Sequence, residues 1–313
     1  MAVSTVPLAE PAEHQRYRAR GLWEDAFRRL IRNRLALVGL LILVVFAVAA
    51  VLAPLIAPFD PNEQNYDAIF QSPNATHIAG TDNLGRDWFS RLVYGARLSL
   101  TVGIFAQAIV LMIGVAIGTT AGYFGGQIDN LLMRFTDLMY AFPDLLFIIL
   151  LRTVFSEGIL HEFGINILSR DTEQIFTLFF IIGLINWTGD ARLVRGQILS
   201  LKEREFVEAA RSIGASNAQI MWRHLFPNTL GPLIVVVTLG IPRAVFAEAA
   251  LSFIGIGVGP SIPSWGSMVQ EGYSAIFGSP HLVLFPAGAI ALLMLSFTFL
   301  GDGLRDALDP RTR

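Results

Sequence analysis

Long apolar runs alternate with shorter polar stretches along this chain of 313 residues. A helix needs about 20 mostly apolar residues to cross the hydrocarbon core of a bilayer. Six runs approach or exceed that length, at about 35–57, 98–121, 138–155, 174–190, 229–257 and 282–301. The pattern therefore predicts an all-α membrane protein with six transmembrane helices.

Two of these runs contain residues that interrupt a helix. The third includes Pro143 and Asp144, and the fifth includes Pro232 and Pro242. Membrane helices accept such breaks where neighbouring helices cover the backbone groups that lose their partners. Both runs therefore remain predicted spans.

The positive residues indicate the orientation, because cytoplasmic loops of membrane proteins carry an excess of Lys and Arg. They concentrate before the first run, between the fourth and fifth runs, and after the last run. The loop 258–281 contains no Lys or Arg at all. We therefore expect both termini and the stretch between the fourth and fifth runs to lie in the cytosol.

The segment 23–34 predicts an amphipathic helix at the inner membrane surface. Its apolar residues recur at helical spacing and its arginines lie opposite them: Trp23, Phe27, Leu30 and Ile31 against Arg28, Arg29 and Arg32. We expect a juxtamembrane helix that fixes the topology. Because a long polar segment precedes the first apolar run, we also expect no cleavable signal peptide.

The polar stretch 201–228, which we call the island, predicts two helices joined by a turn. Its first half, 203–213, has no Gly or Pro and is rich in residues that favour helix. Three side chains fall at helical spacing on one predicted face: Phe206, Ala210 and Ile213. Gly214 then predicts a left-handed residue that ends the helix.

Ser216 and Gln219 have the spacing of a capping box, which predicts the start of the second island helix. Pro227 is expected to close that helix, and Asn228 to cap the next membrane span. The island is thus predicted to be a structured cytosolic element, although a solvated helical connection between two spans is the simpler alternative.

Several motifs resemble those of a known family. In the island, Glu208, Ala209, Ala210 and Gly214, followed by His224, Pro227 and Asn228, resemble the EAA loop of bacterial ABC importer permeases. Matching stretches occur along most of the chain: GTDNLGRDWFSRLVYGARLSL (80–100), YFGGQIDNLLMRFTD (123–137), EAALSFIGIGV (248–258), PSWG (263–266) and FLGDGLRDALDPR (299–311). The chain resembles the C-type permease subunit of the dipeptide, oligopeptide and nickel ABC importer family.

This resemblance implies a type I ABC importer permease fold in a bacterial cytoplasmic membrane. It implies a core at 96–307 with a coupling loop at 191–228, preceded by a tail (1–34) and by one span with its outer loop (35–95), and followed by a short tail (308–313). The implied function is to form half of a pathway for di- or oligopeptides. Nickel or another small solute is the alternative cargo.

The resemblance also implies partners: a second permease subunit, two ATP-binding subunits, an extracytoplasmic substrate-binding protein and membrane lipid. The residues that it implies for coupling to the ATPase are Glu208, Ala209, Ala210, Gly214, Ala215, His224, Pro227 and Asn228.

The chain lacks the sequence features of an enzyme that hydrolyses ATP. A phosphate-binding loop needs a Gly-rich motif ending in Lys and Ser or Thr, and the only lysine here, Lys202, lies between Leu201 and Glu203. ATP and Mg²⁺ are therefore expected on partner subunits, with no cofactor on this chain. Cysteine is absent and the five histidines are scattered, so we expect no metal site. The net charge of −2 gives no reason to expect nucleic acid binding.

Polar residues inside spans are functional candidates because they are costly in a bilayer. Arg243 and Glu248 in the fifth run, and Gln107 in the second, are candidates for lining a translocation pathway. The alternative is that they join neighbouring helices by hydrogen bonds. Two other classes of protein stay open. A gradient-driven secondary transporter would leave the island unexplained, and an intramembrane enzyme would need convergent catalytic groups.

Overall fold

The computed structural model describes residues 22–165, 167–259 and 261–308. Within them the chain is helical, and its β structure is limited to one isolated bridge between Thr81 and Asp87. The predicted all-α class is confirmed. In chain order the helices are α1 (Leu22–Arg32), α2 (Arg34–Val51), α3 (Ala53–Ile56), α4 (Trp88–Phe124), α5 (Gly126–Ala141), α6 (Asp144–Val154), α7 (Ile159–Glu162), α8 (Arg170–Asn186), α9 (Thr188–Leu201), α10 (Glu205–Ser212), α11 (Asn217–Gln219), α12 (Phe226–Phe253), α13 (Trp265–Tyr273) and α14 (His281–Leu308), with a 3₁₀ turn at Tyr66–Ala68 and a π-helix at Ile220–Leu225.

In the described part of the chain, four helices are long and apolar enough to cross a membrane. They are α2, α4, α12 with the short helices that precede it, and α14, and they coincide with the first, second, fifth and sixth predicted spans. The fourth predicted span corresponds to α8 and α9, which together pass the same test as a pair bent by 47°. The structure thus contains four spans, or five with the bent pair.

The third predicted span, 138–155, is divided between two helices. Proline disfavours a helical conformation in the residue before it and has no N–H to donate. Accordingly Phe142 is extended, with φ −81° and ψ 137°, so α5 ends at Ala141 and α6 begins at Asp144. Neither helix alone is long enough to cross, so the count of six is not confirmed and stays a prediction.

Helix α4 is the centre of the bundle and packs against α8, α9 and α12. Small residues let the helix backbones approach closely, as is usual in membrane proteins. A Cβ atom at Gly118 would lie 2.7 Å from Val194 Cβ on α9, and one at Gly103 would lie 2.6 Å from Val245 Cγ2 on α12. The three helices are therefore held in a contact that larger side chains would prevent.

Helix α4 begins ten residues earlier than the predicted second span. Asp87 caps it by accepting a hydrogen bond from the Ser90 backbone N–H at 2.8 Å, and Trp88 is fully buried. The predicted boundary between 35–95 and 96–307 consequently falls inside a continuous helix. Hydropathy marks only the part of a helix that is apolar, so it missed this capped first part.

The N-terminal helices pack on the outside of α14. Gly39 of α2 faces the backbone of Ser296, and Gly303 of α14 faces Leu30 and Ala36. Helix α1 is the predicted juxtamembrane helix. It ends where the Asn33 side chain accepts hydrogen bonds from the first backbone N–H groups of α2.

At the end of α4 that lies opposite the island, buried ion pairs join the segment 57–87 to α13. Glu271 of α13 accepts from Arg86 at 2.6 Å and from Arg91 at 2.9 Å, and Arg86 also pairs with Asp82 at 2.6 Å. Burial raises the pKa of Glu271, and the two arginines act against that shift. This network fixes the connection before α4 onto the connection between α12 and α14.

Candidate functional site

The island forms a compact helical elbow between α9 and α12. Its first helix, α10, ends at Ser212, and Gly214 has φ +83°, which confirms the predicted left-handed residue. The predicted capping box is also confirmed, because Ser216 and Gln219 each accept a hydrogen bond from the other's backbone N–H. The first island helix and the predicted start of the second at Ser216 are therefore present.

The island is packed onto the bundle and is not a solvated connection. Val207 and Ala210 of α10, with Ile220 and Leu225 of the π-helix, are buried in one cluster. The same cluster contains side chains from three bundle helices: Tyr123 of α4, Val194 and Ile198 of α9, and Leu233 of α12. In addition, Tyr123 Oη donates to Asn217 Oδ1 at 2.7 Å. A displacement of the island would thus be transmitted to α4, α9 and α12.

The three residues predicted to share one face of the first island helix do not share one environment. Ala210 is buried, but Phe206 and Ile213 are exposed, and Val207 makes the other inward contact of α10. Helix α10 has only eight residues and ends at Ser212, so Ile213 lies beyond its last turn. The predicted common face therefore does not extend to Ile213.

The outer surface of the island carries apolar side chains without cover. Ile213, Trp222 and Phe206 are all exposed. Glu208 and Ala209 are exposed as well, next to this apolar surface. Among the other predicted coupling residues, Gly214, Pro227 and Asn228 are exposed, whereas Ala215 and His224 are half-buried.

The expected roles of Pro227 and Asn228 in the local structure were wrong. The residues Asn217–Phe253 form one continuous helix of 37 residues, so Pro227 does not end a helix, and it lies in the first turn of α12. The π-helix just before it widens the turn, and Phe226 N–H bonds to Met221 O. Asn228 does not cap a span, because its side-chain amide donates to His224 O at 2.6 Å.

The same end of the bundle carries two ion pairs between α5 and α9. Arg195 binds Asp129 with two hydrogen bonds of 2.5 and 2.6 Å, and Arg192 pairs with Asp137 at 2.7 Å. Arg192 also lies over the Tyr140 ring at 4.6 Å. These contacts attach α5 to the helix that leads into the island.

The structure separates the three residues predicted for the pathway. Glu248 is fully buried and accepts hydrogen bonds from Ser99 at 3.2 Å and from Ser252 at 2.8 Å. Gln107 is buried and donates to Asp190 at 3.2 Å. Only Arg243 is exposed. Asp190 is a buried acidic residue that the sequence reasoning missed, although its place at the end of the fourth apolar run was a usable signal.

Arg152 is another buried polar residue of the bundle. It is buried near the end of α6 and donates to Gly257 O at 2.9 Å, Phe155 O at 3.2 Å and Ile256 O at 3.3 Å. Carbonyl groups at helix C-termini lack partners within the helix. Arg152 therefore joins the C-terminal end of α6 to the segment that follows α12. No group of three or more metal-binding side chains occurs among the residues described above.

The bundle and its elbow define the class of protein: a multi-pass helical membrane protein with the fold of an ABC importer's membrane component. A chain from a structure of inward-facing conformations of the MetNI methionine ABC transporter has this fold, with a TM-score of 0.52 over 70% of this chain and 96% of that chain. The two sequences are only 16% identical, so this likeness concerns the fold alone.

The sequence places the chain within a particular family. Residues 114–313 match the binding-protein-dependent transport system inner membrane component, and residues 21–73 match the N-terminal TM domain of oligopeptide transport permease C. The chain belongs to the family of binding-protein-dependent transport system inner membrane components.

Curated relatives match over nearly their whole length. The oligopeptide transport system permease protein OppC of Bacillus subtilis is 39% identical, over 97% of this chain and 95% of the relative. The dipeptide transport system permease protein DppC of the same organism is 42% identical, over 93% and 86%. The glutathione transport system permease protein GsiD of Escherichia coli is 38% identical, over 100% and 96%.

Proposed function

We propose that this chain is one of two permease subunits of an ATP-driven importer, and that peptides cross the membrane between them. The single observation that carries the proposal is the island. It is buried against α4, α9 and α12 on one side and leaves an apolar rim exposed on the other. Such an element is built to receive a force from a separate protein and to pass it into the bundle. A gradient-driven transporter has no use for it.

The topology that supports this function has six crossings, with α5 and α6 together as the third. The contacts within the bundle support these directions. Gly103 and Gln107 of α4 meet Val245 and Gly240 of α12 in reverse order, so α4 and α12 are antiparallel. Trp88 at the start of α4 meets Leu282 near the start of α14, so these two helices are parallel. The distribution of Lys and Arg then places the island and both termini in the cytosol of a bacterial cell.

Coupling runs through the exposed rim of the island. Ile213 and Phe206 supply apolar area for an ATP-binding subunit, and Ala209 allows its surface to approach closely. Glu208 adds a charge at the edge of that contact. Ala210 lies on the opposite, buried side of α10 and contributes to coupling by packing α10 onto the bundle. ATP and Mg²⁺ bind to two such subunits, and an extracytoplasmic binding protein delivers the cargo.

Peptides are the proposed cargo because the relatives named above are permeases for oligopeptides, dipeptides and glutathione, all of which contain peptide bonds. Arg243 is the one predicted pathway residue that the fold leaves exposed, and we retain it alone as a pathway residue. Gln107 and Glu248 make their hydrogen bonds within the chain.

The test is to purify the complex of this chain with its second permease and its ATP-binding subunits, and to measure retention of the ATP-binding subunits and ATP-driven peptide uptake into proteoliposomes. Glu208→Arg reverses the charge at the rim and Ala209→Trp adds bulk there. Both are expected to release the ATP-binding subunits, with the permease pair still assembled in the membrane.

The matched control is Glu63→Arg, which makes the same charge reversal at an exposed position in the segment at the opposite end of the bundle. It should retain the ATP-binding subunits and transport. If both rim variants keep a wild-type amount of ATP-binding subunit, the island is not the docking element. If the intact complex imports no peptide, the proposed cargo is wrong.

A further inference from the structure

Arg243 is a cation in the interior of the membrane helix α12. Its side chain is exposed, and so is that of Phe246, three residues further along the helix. Among residues 22–165, 167–259 and 261–308, no hydrogen bond or ion pair satisfies its guanidinium group. A charge facing hydrocarbon is costly, so the face that carries Arg243 meets water, protein or a ligand.

A polar pair lies behind Arg243, where α4, α9 and α12 meet. Gly240 is one turn before Arg243, and a Cβ atom there would lie 2.8 Å from Gln107 Nε2. The same Gln107 nitrogen donates to Asp190 Oδ2 at 3.2 Å. Asp190 lies in the first turn of α9, next to the 47° bend from α8.

We propose that Arg243 binds the main-chain carboxylate of a peptide in transit, at the edge of the junction where Gln107 joins α4 to α9. The inference rests on the proposed function and names the ligand group for its pathway. Gln107 and Asp190 bind each other and join α4 to α9 beside the part of α12 that carries Arg243.

The chemistry of the guanidinium group favours a carboxylate. It is planar, always charged, and presents its N–H groups in a fork that matches the two oxygens of a carboxylate. Every peptide with a free C-terminus carries that group whatever its side chains are. A pathway that accepts many peptide sequences can therefore bind all of them through this carboxylate. Phe246 lies beside Arg243 and offers an apolar surface for the peptide's side chains.

Release of the ligand limits how strong the contact with Arg243 can be. Conduction requires binding that is favourable enough to admit a solute and weak enough to let it leave. A lone arginine in a site of low dielectric would hold an anion tightly. Arg243 is exposed, so water in the pathway screens its charge and the contact is transient.

The experiment uses the complete complex with its binding protein, in proteoliposomes. The probes are trialanine, which has a free carboxylate, and trialanine amide, which does not. Initial rates of ATP-driven uptake are measured for both, and their ratio is compared between permeases. The binding protein is the same in every case, so its own preference cancels when wild type is compared with a variant.

In Arg243→Gln we expect the acid-to-amide ratio to fall about tenfold, which is the effect of losing one charge-assisted hydrogen bond, with the rate for the amide nearly unchanged. Arg243→Lys keeps the charge without the fork and should retain part of the preference. An equal fall in both rates would overturn the proposal and leave the permease function intact.

Loss of the second permease from the Arg243→Gln complex would overturn it as well, because Arg243 would then be a contact between subunits. If the wild-type complex imports neither peptide, the proposed function fails too. These three results are distinct, so failure of the carboxylate site is separable from failure of the importer assignment.

Discussion

The island has an inner face against the bundle and an outer, exposed face, and each carries an isoleucine. Replacing either isoleucine by alanine tests one face with the same change in side chain. Ile220 is fully buried between the island and the bundle, whereas Ile213 is 85% exposed on the rim. Replacing a buried isoleucine by alanine removes its packing and leaves a cavity, which costs about 2–5 kcal/mol. The same replacement at an exposed position changes stability by only about 0.5 kcal/mol or less.

Ile220→Ala is therefore expected to lower the thermal unfolding temperature of the detergent-purified permease pair, measured by size-exclusion chromatography after heating. Ile213→Ala should leave that temperature unchanged. For assembly of the complex we expect the larger effect from the other variant. Ile213→Ala should weaken retention of the ATP-binding subunits, because it removes apolar area from the proposed contact. Ile220→Ala should disturb the coupling of ATP hydrolysis to uptake more than the binding itself.

The reasoning is refuted if Ile213→Ala lowers the unfolding temperature as much as Ile220→Ala does. It is also refuted if Ile220→Ala leaves both stability and coupling intact, because the island would then not be packed onto the bundle as described.

Two further predictions concern the bundle. Gly118→Ala would drive a Cβ atom into the backbone of α9 and should reduce the yield of folded protein. Its control is Gly196→Ala, because nothing lies within 4 Å of a Cβ atom there, and this variant should be neutral or stabilise α9 by up to about 1 kcal/mol in the same heating assay. Glu271→Gln leaves the buried Arg86 and Arg91 to share one carboxylate, Asp82, and should cost about 3 kcal/mol. The exposed Glu63→Gln should cause no measurable change, and equal unfolding temperatures for these two variants would contradict the buried network.

The sequence predicted what depends on local chemistry. Hydropathy located α2, α4, α12 and α14, because a span is a property of consecutive residues. The turn at Gly214 was equally accessible, since a left-handed residue after a helix favours glycine.

The contacts that the sequence did not predict join distant residues. Glu271 lies 180 residues from its partner Arg91, and no local pattern connects the two. Asp190 was overlooked for the same reason, because its partner Gln107 is 83 residues away. The common face predicted for Phe206, Ala210 and Ile213 does not extend to Ile213, because spacing alone does not show where a short helix stops.

The continuous helix Asn217–Phe253 connects the island directly to Arg243, so a movement of the island also moves Arg243. At a rise of about 1.5 Å per residue, Arg243 lies about 40 Å along the axis from the first residue of this helix. A tilt of only about six degrees about the island end would carry Arg243 sideways by roughly 4 Å, which is more than the length of a hydrogen bond. A small rotation at the membrane surface is thus amplified into making or breaking a contact in the interior of the membrane.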